Sequence, residues 1–143
     1  MPDADGSSDG DAAPVAQLLR ILVVDDHHDG GAVFELLLRS MGYETMLMRD
    51  AENLNEVVRS FQPHAVFLDI SLPGMDGREA ARRLRREIDL KDVFLVAHTA
   101  HGTPNNVLEF RNVGFDAHLH KPLQIEKLLA LLAEARNRAR CNR

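Results

Sequence analysis

The chain contains one cysteine, Cys141, and no tryptophan. A single thiol excludes an internal disulfide and fits a reducing cytoplasm. Six phenylalanines and one tyrosine are too few for a surface that stacks on nucleic-acid bases, so no nucleic-acid partner is expected. No apolar run approaches the roughly 20 residues that a membrane helix needs. The N-terminus has no basic stretch leading into an apolar one, so it does not read as a secretory signal. Internal repeats and a linker to a second domain are also missing.

What is present suits one globular unit. The 143 residues are 45% apolar, enough for a core in a domain of ordinary size. The net charge of −5 is unevenly spread. Residues 1–18 hold Asp3, Asp5, Asp9 and Asp11, no base, and several small residues, which marks them as a disordered acidic leader. Residues 136–143 form a basic tail containing Arg136, Arg138, Arg140 and Arg143. Such a tail suits an acidic partner, or simply a solvated helix end whose arginines favour the negative pole of the dipole.

Between these ends, strand-like and helix-like segments alternate. Apolar runs predict strands over about 20–24, 44–48, 65–68, 92–98 and 116–120. Helical spacing predicts helices over about 29–41, 51–61, 77–88, 103–113 and 124–138. Val33, Phe34, Leu37, Leu38 and Met41 form the apolar stripe of the first, which Gly42 ends. In the third, arginines at 82, 83, 85 and 86 leave Ala80, Ala81, Leu84 and Ile88 for the sheet. The last repeats Ile125, Leu128, Leu129, Leu131 and Leu132. Alternation of this kind predicts a parallel sheet covered by helices on both faces. Gly30 and Gly31 are expected to loosen the start of the first helix.

Several strands run straight into chemistry. Ile21-Leu22-Val23-Val24 ends at Asp25-Asp26, and Ala65-Val66-Phe67-Leu68 ends at Asp69, before the loop Ser71-Leu72-Pro73-Gly74-Met75-Asp76-Gly77. Val93 to His98 ends at Thr99, and Ala117-His118-Leu119-His120 ends at Lys121-Pro122. Open α/β sheets place ligands at the carboxyl edge. If these strands are neighbours, three carboxylates, a hydroxyl and an ammonium share one crevice. Adjacent acids repel unless a cation compensates them, and Mg²⁺ prefers such oxygen ligands. Asp26 and Asp69 are the natural metal carboxylates, with Asp25 acting directly or through water and a backbone carbonyl after Asp69 adding another oxygen. Asp69 could then attack phosphorus, with Thr99 donating to the phosphoryl group and Lys121 neutralising it. Asp76, before Gly77, reads as a helix cap. The histidines at 27, 28, 98, 101, 118 and 120 read as surface residues around the crevice rather than as a zinc site, with His28 and His98 placed so that they could modulate attack or dephosphorylation.

These four motifs, in this order, resemble the receiver domain of two-component signalling, found in response regulators and hybrid histidine kinases. The likeness covers about residues 19–135. It implies a flavodoxin-like, doubly wound (βα)5 three-layer sandwich with a five-stranded parallel sheet of order 2-1-3-4-5. It also implies that Asp69 accepts a phosphoryl group from a phosphohistidine, with Mg²⁺ bound by Asp25, Asp26, Asp69 and the backbone carbonyl of Ser71. Thr99 and Lys121 would complete the catalytic set, and Lys121-Pro122 would be a cis bond. The implied partners are a histidine kinase or histidine phosphotransfer protein and a downstream protein. A homodimer through helix four, strand five and helix five is allowed. The module would be cytoplasmic, away from the membrane, and no enzyme beyond its own phosphorylation and dephosphorylation. With no output domain in the sequence, the output is expected to be protein–protein, whether the module is a stand-alone regulator or part of a hybrid kinase.

One position departs from the family. The switch aromatic of the last strand, usually Tyr or Phe, is His118 here, which suggests a readout that is weaker, differently wired or pH-sensitive. Two other readings compete. A phosphorylation-independent pseudo-receiver would be expected to lose an acid, the Thr or the Lys, and none is lost. A Mg²⁺-dependent phosphohydrolase of the haloacid-dehalogenase type would carry a second acid two residues after its nucleophile, where this chain has Ser71.

Overall fold

The computed structural model describes residues 19–70, 76–99 and 106–141. Five parallel strands form one sheet: β1 Arg20–Val24, β2 Glu44–Met48, β3 Ala65–Asp69, β4 Phe94–Thr99 and β5 Ala117–His120. Their order, β2-β1-β3-β4-β5, is the doubly wound arrangement that the resemblance implies. The helices between and after them are α1 His28–Ser40, α2 Leu54–Phe61, α3 Gly77–Arg86, α4 Asn106–Val113 and α5 Ile125–Cys141.

Strand alternation divides the core into two layers. Leu22, Val24, Val66, Leu68, Leu95 and Ala97 pack with α2, α3 and α4. Ile21, Val23, Ala65, Phe67, Phe94, Val96 and Leu119 pack with α1 and α5. The three central strands are buried on both faces, which is why they read as unbroken apolar runs.

The helix boundaries differ from expectation where side chains capture the backbone. α2 starts at Leu54 rather than near 51, because Asp50 Oδ1 accepts from Glu52 N at 3.0 Å and holds a turn there. α3 stops at Arg86, and Glu87 leaves in an extended conformation. A short 3₁₀ turn over Ile88–Leu90 follows. Ile88 therefore leaves the buried face and is 81% exposed, while Leu90 enters the core in its place. Val33, at 64% exposed, and the half-exposed Ile125 and Leu129 likewise lie outside the buried stripes of α1 and α5. α5 continues to Cys141, so Arg136, Arg138 and Arg140 belong to its last turns.

α1 begins without a side-chain cap at His27, beside the glycines expected to loosen it. The helix is formed from His28, and Gly31 N donates to His27 O at 3.0 Å. A Cβ on Gly31 would lie 3.3 Å from both Asp25 Cβ and Leu47 Cδ1. The glycine thus brings α1 close to the end of β1.

Far from that edge, Arg85 ties α3 to the rest of the fold. It donates to the carbonyls of Gly114, Lys91 and Val93 and to Asp116 Oδ2, each at 2.8 Å. Asp116 Oδ2 also accepts from Leu95 N at 2.9 Å. Gly114 has φ +117°, and a Cβ there would lie 2.6 Å from Arg85 Cγ. Arg85→Met should lower stability by about 2–3 kcal/mol, because a half-buried carboxylate and carbonyl oxygens lose their donor. A denaturant midpoint equal to wild type would show that this hub is dispensable.

Candidate functional site

The last residues of four neighbouring chain segments meet at the carboxyl edge of the sheet. β1 pairs with β3, so Val24 and Leu68 are level and each is followed directly by an acid. Asp25 N extends the ladder by donating to Met48 O at 2.9 Å. Asp25 is 1% and Asp69 5% exposed. Period-two alternation turns both toward the α1 layer, continuing the rows of Val23 and Phe67. Lys121 continues the row of Leu119 in the same way, and its N–H donates to Thr99 O at 2.8 Å. The Lys121-Pro122 bond is cis.

The Lys121 ammonium reaches both acids, at 3.1 Å from Asp69 Oδ2 and 3.3 Å from Asp25 Oδ2. Burial works against its charge, but the Asp69 and Asp25 carboxylates outweigh burial and raise its pKa above the ordinary value. Asp25 Oδ1 also accepts from His27 N at 2.8 Å. Asp26 is exposed beside them, and carboxylate oxygens of Asp25, Asp26 and Asp69 lie within 4.8 Å of one another. Among the described residues that meet here, three acids face one ammonium. An all-oxygen donor set of this charge fits a hard divalent cation such as Mg²⁺.

Gly77 keeps the floor of the pocket in place. Its N–H donates to Ile70 O at 3.0 Å, and a Cβ would lie 2.6 Å from Asp69 O and 2.8 Å from Ile70 Cα. Only glycine lets α3 start this close to the chain leaving Asp69. Asp76 caps that helix as expected, accepting from Arg78 N at 2.9 Å.

Thr99 is buried at the end of β4, and alternation places it in the row of Ala97, facing the α3/α4 layer. In β5, His118 pairs with Ala97 and His120 with Thr99. The two half-exposed imidazoles meet edge to face, with centroids 5.0 Å apart. Burial, then Lys127, then His120 lower the pKa of His118. Its titration is thus displaced below 6.5, away from the neutral range that the sequence suggested. Asp25, Asp69 and Lys121 are thus brought into contact, with Asp26 at their rim and Thr99 one residue beyond the Asp69 level. Ser71 lies outside the described residues.

His98 was expected at the surface, but it is 5% exposed. Its position pairs with Asp69 on one side and Leu119 on the other. The ring lies 5.2 Å from that of Phe34 in α1. Burial, reinforced by the Lys121 ammonium and opposed by Asp25, lowers its pKa to about 4. The unbroken apolar run from Val93 to Ala97 was the available signal that the next residue would also be buried.

This shift has a definite consequence for stability. The unfolded chain takes up a proton on His98 below its ordinary pKa of 6.5, whereas the folded protein resists it until about 4. His98 therefore contributes full stability above pH 6.5 and loses it as pH falls toward 4. The limiting slope is about 1.4 kcal/mol per pH unit. In metal-free buffer, wild type should lose stability over this window more steeply than His98→Val. Parallel urea-unfolding profiles of the two proteins would refute the assignment.

Comparison with known proteins places the chain in one family. The family model for the response regulator receiver domain matches residues 21–133. The phosphate regulon transcriptional regulatory protein PhoB of Pseudomonas aeruginosa is 32% identical over 112 residues, covering 78% of this chain and 49% of PhoB. Response regulator MprA of Mycolicibacterium vanbaalenii is 37% identical over 115 residues, covering 78% of this chain and 48% of MprA. The DNA-binding response regulator MtrA of Mycobacterium tuberculosis is 36% identical over 111 residues, covering 78% of this chain and 47% of MtrA. The chain thus spans about half the length of the curated relatives it matches. Among solved structures, the receiver domain of a sensor histidine kinase from Pseudomonas aeruginosa is 27% identical with TM-score 0.76, covering 84% of this chain and 98% of that one. That structure has a magnesium ion coordinated in its active-site cleft. Its fold, its strand order and this family match make the chain a member of the response regulator receiver domain family of two-component systems.

Proposed function

We propose that this receiver is a phosphoacceptor switch in which Asp69 takes a phosphoryl group from a phosphohistidine. The observation that carries the reading is the buried Asp69–Lys121–Asp25 cluster, with Lys121 Nζ 3.1 and 3.3 Å from the two carboxylates. An Asp69 carboxylate oxygen attacks phosphorus, the P–N bond breaks, and the imidazole leaves with the bonding pair and takes up a proton. Hydrolysis later returns the carboxylate and inorganic phosphate. The protein therefore acts on its own side chain and is no enzyme for a separate substrate.

Asp25, Asp26 and Asp69 would hold Mg²⁺, together with the backbone carbonyl of Ser71. When bound, the ion supplies charge neutralisation for the incoming phosphoryl oxygens. Lys121 screens the carboxylates and then pairs with the phosphoryl group. Thr99 donates to that group, and the change is read on the face bearing His118. Burial, Lys127 and His120 lower the pKa of His118 and so favour the neutral form of its ring. Phosphorylation adds about −1.5 to −2 charge to this edge.

The phosphodonor would be a histidine kinase or histidine phosphotransfer protein. α1, which starts beside Asp25, presents the exposed Val33 and Leu36 for such a partner to cover. The downstream partner is a protein, or a further domain of a longer chain. PhoB and MtrA are transcriptional or DNA-binding regulators by name, so the expectation that nucleic acid plays no part is not carried forward. A homodimer through α4, β5 and α5 fits the same scheme. Among the described residues no helix is long and apolar enough to cross a membrane, and a cytoplasmic location suits this chemistry. A phosphorylation-independent role is disfavoured because the acids, Thr99 and Lys121 are all retained.

Incubation with acetyl phosphate and Mg²⁺ should add a single phosphoryl mass to the intact protein. Asp69→Asn and a chelator should each abolish it, with the variant remaining folded. A folded wild type that takes up no phosphoryl group, or a variant labelled as efficiently at another carboxylate, would sink the assignment.

A further inference from the structure

His98 is a buried imidazole that the scheme above does not use. Its Nε2 is buried and has no hydrogen-bond partner among the described residues. A buried polar atom left unpaired costs about 1–3 kcal/mol, so its presence calls for a reason. Packing against Phe34 at 5.2 Å explains the ring but not the nitrogen.

The sheet register supplies a reason. Asp69 ends β3 and Lys121 follows β5, and β4 lies between those two strands. The side chain of Lys121 must cross β4, bridging two strand spacings or about 10 Å, to meet Asp69 at 3.1 Å. It crosses on the face that carries His98, whose neighbours in the register are Asp69 and Leu119. The imidazole therefore lies beneath the path of the lysine. Lys121 has three N–H donors, and Asp69 and Asp25 take up two. Once Asp69 becomes an acyl phosphate, its carboxylate charge is lost from the oxygens near β4. Lys121 then shifts its bond from the Asp69 carboxylate to the phosphoryl oxygens, and a neutral imidazole nitrogen is a further acceptor within the same row.

We propose that His98 is a positioning residue for Lys121, its ring supporting the lysine stem and its Nε2 accepting a hydrogen bond from the ammonium when Asp69 is phosphorylated. The neutral state this needs is the one that burial and Lys121 impose. His98 does not touch the phosphoryl group and acts only through the lysine. The inference rests on Asp69 being the phosphoacceptor.

The test uses the full chain with acetyl phosphate and Mg²⁺, following the His98 Nε2 resonance by ¹⁵N NMR and adduct formation by mass. The Nε2 resonance should move on phosphorylation, as loss of a free lone pair requires. His98→Leu, which keeps bulk but not the nitrogen, should slow adduct formation about tenfold, the effect of one hydrogen bond to a charged group. His98→Gln, which restores a polar atom at similar reach, should recover most of that loss. An Nε2 resonance unmoved in a phosphorylated protein overturns the proposal, as do Leu and Gln variants that react alike. If His98→Leu does not fold, the wild-type resonance decides alone. A wild type that gains no phosphoryl mass fails at Asp69 instead, and the inference falls with it.

Discussion

The Lys121 ammonium holds two buried carboxylates together at the carboxyl edge of the sheet, and the rest of the site is arranged around that contact. Lys121 lies 3.1 Å from Asp69 and 3.3 Å from Asp25, while Asp26 adds a third acid at the rim. Buried like charges are tolerated only when something cancels them. The arrangement therefore favours arrivals that bring positive charge, such as a divalent cation. Much of the surrounding backbone serves to keep the acids where they are. Gly31 admits α1 against Asp25, Gly77 admits α3 against the chain after Asp69, and the backbone N–H of His27 fixes one Asp25 oxygen.

The two faces of the sheet divide the work. The row on the α1/α5 side ends in Asp25, Asp69, His98 and Lys121, so the groups that handle charge share one layer. The opposite row ends in Thr99 and contains His118 and His120, next to α4. Any event at Asp69 must cross the sheet to reach that second row. β4 is the natural crossing, because it bears His98 on one face and Thr99 on the other, and Thr99 O is bonded to Lys121 N. Two adjacent residues of one strand thus connect the acid pocket with the face carrying His118.

Much of this was legible in the residues alone. Apolar runs ending in Asp25, Asp69, Thr99 and Lys121 located the strands to within a residue or two. The alternation of strands with amphipathic helices revealed a parallel sheet covered on both sides, because each element buries the stripe its period dictates. The misses came where one side chain redirected the backbone. Asp50 held a turn that delayed α2, and the break at Glu87 sent Ile88 into solvent. Propensity also cannot see that Gly31 lets α1 lie close to Asp25.

What the sequence determined by itself was the set of chemical groups and their order along the chain, since motif spacing and strand periodicity are local properties. Tertiary structure decided which of those groups touch and which are buried. The burial of His98, the sharing of one ammonium by Asp25 and Asp69, and the bonds of Arg85 to Gly114 and Asp116, 29 and 31 residues away in the chain, depend on register between strands distant in sequence. That register follows from closing the whole sheet with both faces covered, a constraint no short stretch of residues contains.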